Sequence, residues 1–230
     1  DTPMPVHFAV AHDFSPPMLE PMPLEEIHKK RNTFFFFAGT SNIGGIRRWI
    51  KKACVDKANE DDCVFRDFGT SVVDSKRLGV PQDYPSAMKQ SLFCGHAAGD
   101  ALSSRRPTSA VLGGCLPVLI CDLCLYAWEN FIDYQSFAVF VSEEDVITGK
   151  LFSILRNISA DEARVKSLQS NLRKVRPHFV YNTEGAPHVD DALGMLVKQL
   201  EVRGSVYRQY RRWYRTNAHL SSDRKDYPVE

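Results

Sequence analysis

The stretch from Ser91 to Tyr134, SLFCGHAAGDALSSRRPTSAVLGGCLPVLICDLCLYAWENFIDY, leaves the chain few folds to choose from. An apolar strand, a Gly-Asp turn, a basic helix start, a second apolar strand and an acidic helix start follow one another directly. Strand–helix units in that order build parallel sheets, whose ligand crevices lie outside the carboxyl ends of the strands. The rest of the chain continues the alternation. FFFFAG (34–39) is an apolar run closed by glycine, the mark of a strand buried on both faces. Gly44-Gly45 opens a helix, IRRWIKKAC, with Ile46, Trp49 and Ile50 predicted on one face. CVFRDF, SLFCG, LPVLIC and FAVFV (137–141) supply four more strands, with the short helix YPSAMKQS, capped by Asp83, before SLFCG. Ser142 starts a helix through about Arg156, and Ser159 with Glu162 forms a capping box for the next. Asp190-Asp191 leads a further helix whose predicted apolar face is Leu193, Met195, Leu196 and Leu200. The pattern predicts an α/β fold, a Rossmann-like doubly wound sheet with right-handed crossovers.

The 29 basic and 28 acidic residues among 230 leave a net charge of +1, so no global field selects nucleic acid or a membrane surface. No apolar run approaches the roughly 18–20 residues of a membrane helix. The first residues, DTPMPVHFAV, contain no basic-then-apolar leader. Residues 1–27 hold six of the 13 prolines and little periodicity, which predicts an extended arm. The final segment, RGSVYRQYRRWYR (203–215), interleaves five arginines with Tyr207, Tyr210, Trp213 and Tyr214. Such mixing serves either single-stranded nucleic acid or acidic glycans, or packs an aromatic stripe on a neighbouring domain. The even charge balance elsewhere favours packing.

Of the six cysteines, Cys54 and Cys63 flank a polar acidic loop and are disulfide candidates if the chain matures in an oxidising compartment. Cys121-x-x-Cys124 with Cys94 and Cys115 matches no compact zinc ribbon, so these four are read as buried or disulfide-bonded.

The candidate ligand residues cluster after the third and fourth strands. Gly99 permits close backbone approach, Asp100 completes the turn, Ser103 and Ser104 offer hydroxyls, and Arg105 and Arg106 stand at a helix start. Arginine there adds to the helix dipole, a conflict that a bound anion resolves; solvated surface arginines are the equal alternative. Glu129, with Asp133, can accept ribose hydroxyls as acidic residues do in dinucleotide folds, or can simply be an exposed helix-start acid. His96, two residues before the Ala98-Gly99-Asp100 turn, is placed to touch ligand. No HExxH or GxSxG motif and no nucleophile–base–acid set occurs.

FFFFAG followed by IRR, then YPSAMKQSLFCGHAAGD, SSRRPTSAVLGGCLPVLI and WENFIDYQSFAVFVSEEDV, resembles the exostosin-like domain of glycosyltransferase family 47. That family's strings run close to SxFCLxPxGD, SxRLxDAxxxGCIPVIxxD and LPFxExIDW. Ser104-Arg105-Arg106, Gly114 to Val118, and Glu129 with Asp133 fall on their positions over about residues 28–200. Departures include Gly95 for leucine, Pro107-Thr108-Ser109 after the arginine, and Tyr126-Ala127-Trp128 for Leu-Pro-Phe.

The resemblance implies the C-terminal, nucleotide-sugar-binding domain of a GT-B fold. Residues 1–27 would arrive from a missing N-terminal domain, 28–203 form the exostosin-like domain, and 204–230 form a basic-aromatic helix and tail. It further implies an inverting, metal-independent transferase moving a sugar, UDP-linked by expectation, to a glycan or glycoprotein acceptor. No cofactor or metal is expected, nor a nucleic-acid partner. Donor-binding residues would be Arg47, Gly99, Asp100, Ser104, Arg105, Arg106 and Glu129. The catalytic base would lie in the missing domain, so that this stretch alone would not turn over. Golgi residence as part of a type II membrane protein is implied as well, in keeping with the Asn157-Ile158-Ser159 glycosylation sequon. The competing expectation is a noncatalytic relative that serves as a partner subunit or glycan-binding module.

Overall fold

The computed structural model describes residues 22–27, 30–41, 45–59, 62–67, 84–99, 104–181 and 190–217. Its five strands are β1 (Thr33–Ala38), β2 (Cys63–Arg66), β3 (Ser91–Ala97), β4 (Leu116–Ile120) and β5 (Val139–Phe140). They form one sheet in the order β2-β1-β3-β4-β5, every neighbouring pair parallel. The order is that of a doubly wound α/β sheet, as the alternation predicts. The helices are α1 (Ile46–Val55), α2 (Tyr84–Gln90), α3 (Arg106–Leu112), α4 (Glu143–Ile147), α5 (Leu151–Ala160), α6 (Glu162–Val175) and α7 (Ala192–Asn217).

The run of phenylalanines explains the two-sided burial. Alternation along β1 sends Phe35 and Phe37 into the larger core with Ile46 and Ile50 of α1 and Phe152 of α5. Phe36 and Ala38 enter a second cluster with Met88 of α2, Ala110 of α3 and the Cys94 and Cys115 side chains. Each fully buried phenylalanine contributes about 1.5–3 kcal/mol. Gly95 of β3 accommodates this aromatic load: a Cβ there would lie 2.6 Å from Phe35 Cζ and 2.9 Å from Phe37 Cδ2.

All six cysteines are paired, as Cys54–Cys63, Cys94–Cys115 and Cys121–Cys124. The first is the predicted bond; it closes the loop from α1 to β2, with Cα atoms 5.3 Å apart. Arg156 of α5 holds the same loop, donating 2.8 Å hydrogen bonds to the Ala58 carbonyl and to Asn59 Oδ1 and pairing with Asp62. The other two bonds consume the four thiols of the discounted zinc set.

The structure corrects several local expectations. The helix foreseen from Ser142 to about Arg156 is two, α4 and α5, broken where Gly149 takes φ 80°. The cap of α6 is Asp161, whose carboxylate accepts the Arg164 N–H at 2.9 Å; Ser159 lies within the last turn of α5, its hydroxyl bonded to the Arg156 carbonyl. The buried face of α1 is Ile46, Arg47, Ile50 and Cys54, whereas Trp49 is 38% exposed. On α7 the buried set is Ala192, Met195, Leu196 and Gln199, and Leu193 and Leu200 are exposed.

The arm predicted for 1–27 lies outside the described residues up to 21, yet Met22 and Ile27 are core residues. Met22 N–H bonds the Leu112 carbonyl at 2.9 Å, and Arg31 ties Ile27 to Gly114 by bonds of 3.0 and 3.2 Å to their carbonyls. The folded unit therefore begins by residue 22. Its predicted end at 203 falls inside α7, which runs unbroken to Asn217. Asp83 and the tail beyond 217 lie outside the described residues. No helix among the described residues is long and apolar enough to cross a membrane.

Candidate functional site

The chain leaves β1 in one direction to reach β2 and lies on the other side when it returns as β3. Above that reversal the carboxyl ends of β1 and β3 part, and side chains from the following helices enter the gap. Gly39 and Thr40 end one wall; Ala98 and Gly99 end the other.

Arg47 comes from the first turn of α1 and is 7% exposed. Its Nε donates to the Ala98 carbonyl at 2.9 Å and its Nη1 to the Thr40 carbonyl at 3.5 Å, so one guanidinium spans both walls. Glycine at 99 is a condition of this arrangement, because a Cβ would lie 2.2 Å from Arg47 Nη2. Arg106, the first residue of α3, reaches back over β1 and sits 5.6 Å from the Phe37 ring centre. Gly39 leaves it room, since a Cβ there would stand 3.0 Å from Arg106 Nη2.

Between the arginines and the loop after β4 lies His96, 2% exposed at the penultimate position of β3. Among the described residues neither of its ring nitrogens has a hydrogen-bond partner. Burial, then the charges of Arg106 and Arg47, hold its pKa down to about 3. The ring is therefore neutral. Its edge-on neighbour is Tyr126, with ring centres 6.0 Å apart. Burial, then the charges of Glu129 and Asp122, push the Tyr126 phenol well above its ordinary pKa.

The loop after β4 is closed by Cys121–Cys124 and turned by Trp128, a buried non-glycine residue at φ 60°. A left-handed tryptophan costs about 1–2 kcal/mol, and such strain gathers at ligand-binding turns. Glu129 follows it, exposed, with Oε2 accepting the Tyr126 N–H at 3.0 Å. A carboxylate has acceptor sites beyond that one bond, so Glu129 can take a further donor.

The sequence-predicted residues thus divide. Arg47, Gly99 and Arg106 come together at the gap, and Glu129 stands at the same pole, bonded to the Tyr126 N–H, with the Tyr126 ring edge-on to His96. Ser104 supports them: its hydroxyl accepts the Arg106 N–H at 3.2 Å. Arg105 is exposed and caps nothing with its side chain. Asp133 caps a 3-10 turn, accepting the Gln135 N–H at 3.0 Å through one carboxylate oxygen. Asp100 and Ser103 lie outside the described residues. Asn157 is exposed, in the middle of α5.

Sequence reasoning missed Gly39, Tyr126 and Trp128. The glycine that closes FFFFAG was a usable signal; nothing in a sequence announces a tryptophan with positive φ. A groove of about 750 Å³ opens at the opposite pole, lined by Thr33, Phe34, Leu92, Val165, Lys166 and Gln169 among others. It lies at the amino ends of β1 and β3 and holds none of the residues above, so the strand-end gap is the better site candidate.

A probable xyloglucan galactosyltransferase, GT13, of Arabidopsis thaliana is 26% identical over 193 residues, 79% of this chain and 40% of its own length. A probable arabinosyltransferase, ARAD1, of the same plant is 30% identical over 160 residues, 68% of this chain and 34% of its own. This chain therefore spans about a third to two fifths of the length of these relatives. Among solved structures, the pneumococcal O-GlcNAc transferase GtfA in complex with UDP and GlcNAc is similar at TM-score 0.45 and 11% identity, over 78% of this chain and 37% of that one. The family model for the exostosin GT47 domain matches residues 5–158, and the chain belongs to that family.

Proposed function

We propose that this chain is the donor-binding part of a glycosyltransferase and that the β1/β3 gap receives the diphosphate of a nucleotide-sugar, with UDP the nucleotide. The observation that carries the reading is the convergence of Arg47 and Arg106, from different helices, on the carboxyl ends of two adjacent parallel strands. Guanidinium groups fixed in a partly dry crevice stabilise the charge that develops on a departing diphosphate, the part that a metal ion plays in other transferases. Glu129, at the same pole, takes the ribose hydroxyls. Transfer is inverting and metal-independent. Its acceptor is a glycan or glycoprotein, and the base that activates the acceptor hydroxyl belongs to a part of the protein outside this chain. The activity names of the family relatives support the class of reaction.

The exposed apolar stripe Leu193, Val197 and Leu200 of α7 is the surface on which that further part packs. Three disulfides favour maturation in the secretory pathway, and we place the protein in the Golgi lumen.

Calorimetry on the full-length protein tests the donor site. Arg106→Ala weakens UDP by about 10- to 150-fold and uridine far less, since one charge-assisted hydrogen bond to phosphate contributes roughly 1.5–3 kcal/mol. Glu129→Gln weakens both ligands, because both carry ribose. Unchanged UDP affinity in folded Arg106→Ala refutes the phosphate role.

A further inference from the structure

We propose that His96 is a binding residue of the same crevice, its imidazole N–H donating to a phosphate oxygen of the ligand held between Arg47 and Arg106. The inference rests on the donor-site reading above. His96 is 2% exposed, and both of its ring nitrogens lack a partner among the described residues. A buried polar atom without a hydrogen bond is rare in folded proteins, because its lost hydration is not replaced. An imidazole at the end of a strand beside a crevice is where a ligand atom supplies what the protein does not.

The surroundings say which atom. The charges acting on the ring are those of Arg106 from α3 and Arg47 from α1, its edge-on neighbour is the Tyr126 ring from the loop after β4, and Glu129 and Asp122 act on that phenol. Two cations beside a neutral imidazole make a negative oxygen the favoured partner, and the ring meets it as an N–H donor. Burial first, and then the charges of Arg106 and Arg47, keep the ring unprotonated while the crevice holds no anion. A bound diphosphate offsets those charges, so that protonation becomes easier in the complex than in the free protein. Binding is then coupled to proton uptake, and UDP affinity rises as pH falls toward the pKa of His96 in the complex.

Titrations of the full-length protein with UDP, inorganic pyrophosphate and uridine test this in the wild type, His96→Ala and His96→Gln. We expect His96→Ala to weaken UDP and pyrophosphate by about 10- to 100-fold and uridine by less than about twofold, with His96→Gln recovering part of the loss through its amide N–H. Calorimetry of UDP in buffers of different ionisation heat should show the wild type taking up more protons per UDP bound than His96→Gln, the titration of the phosphate itself being common to both. Equal UDP affinity in wild type and variants overturns the proposal, as does a parallel loss of UDP and uridine, the signature of a merely structural defect. If neither variant folds, the His96 ring resonances of the wild type decide: a shift with UDP and pyrophosphate but not with uridine supports the contact, and no shift refutes it. Wild type that binds neither UDP nor pyrophosphate removes the donor-site reading and this inference with it, whereas intact wild-type binding with insensitive variants removes only the role of His96.

Discussion

Replacing Gly99 by alanine isolates one physical effect. Gly99 is not among the residues with positive φ, so an alanine backbone fits without strain. The added methyl carbon, however, would lie 2.2 Å from Arg47 Nη2 and 3.1 Å from its Cζ. Ordinary contact needs about 3.5 Å, so the guanidinium must retreat by roughly 1.3 Å. Arg47 is 7% exposed, with Nε and Nη1 bonded to the Ala98 and Thr40 carbonyls, so it yields by stretching the 2.9 Å bond from Nε or by leaving its rotamer. The first forfeits about 1.5–3 kcal/mol and the second costs about 0.5–1.5 kcal/mol. We expect Gly99→Ala to lower stability by about 2 kcal/mol in urea unfolding and to weaken UDP by about tenfold or more. The decisive measurement is the double-mutant cycle. In an Arg47→Ala background the obstruction is gone, so Gly99→Ala should cost less than about 0.5 kcal/mol and leave UDP affinity where Arg47→Ala put it. Additive losses would refute the claim that Gly99 is glycine to make room for Arg47.

Two further outcomes follow from the core. Gly95→Ala drives a methyl group against Phe35 and Phe37, both fully buried, and should cost about 1–3 kcal/mol; adding Phe35→Leu should recover part of it, and a double variant less stable than the sum of its parts would contradict the packing account. His96 has a folded pKa of about 3 against an ordinary 6.5, so between those values the unfolded chain binds a proton that the folded one refuses, and stability is whole above about pH 6.5 and lost as pH falls. At pH 5 the loss should be about 2 kcal/mol, seen as a urea midpoint that falls from pH 7 to pH 5 in the wild type more than in His96→Gln; parallel curves would argue against it.

The strands were legible because continuous apolar runs such as FFFFAG have no stable place except inside a covered parallel sheet. The site was legible only where a residue type carried its own chemistry. Arg106 and Glu129 could be named from position and Arg47 only through the family resemblance, because an apolar periodicity count assigns Trp49, not Arg47, to the inner face of α1. The structure reverses them because carbonyls at two strand ends, Ala98 and Thr40, accept the guanidinium, and strand ends brought together by topology leave no trace in a local window. The same limit applies to the cysteines. Cys94 and Cys115 were read as buried or disulfide-bonded, but joining them requires knowing that β3 and β4 are neighbours in the sheet. The α6 cap shows a different failure: Ser159 and Asp161 are both good capping residues two positions apart, and the last turn of α5 had already taken the serine.

The bond between Cys94 and Cys115 closes a covalent ring that contains His96, Gly99, Ser104 and Arg106. A protease that cuts the backbone anywhere within that ring releases nothing, and the two pieces migrate as one band until a reductant is added. Nicked molecules would pass unnoticed through a non-reducing purification and enter every binding titration as a silent fraction. Their presence would show as a stoichiometry below one site per chain with an unaltered affinity, a pattern easily mistaken for misfolded protein. Electrophoresis with and without reductant separates the two.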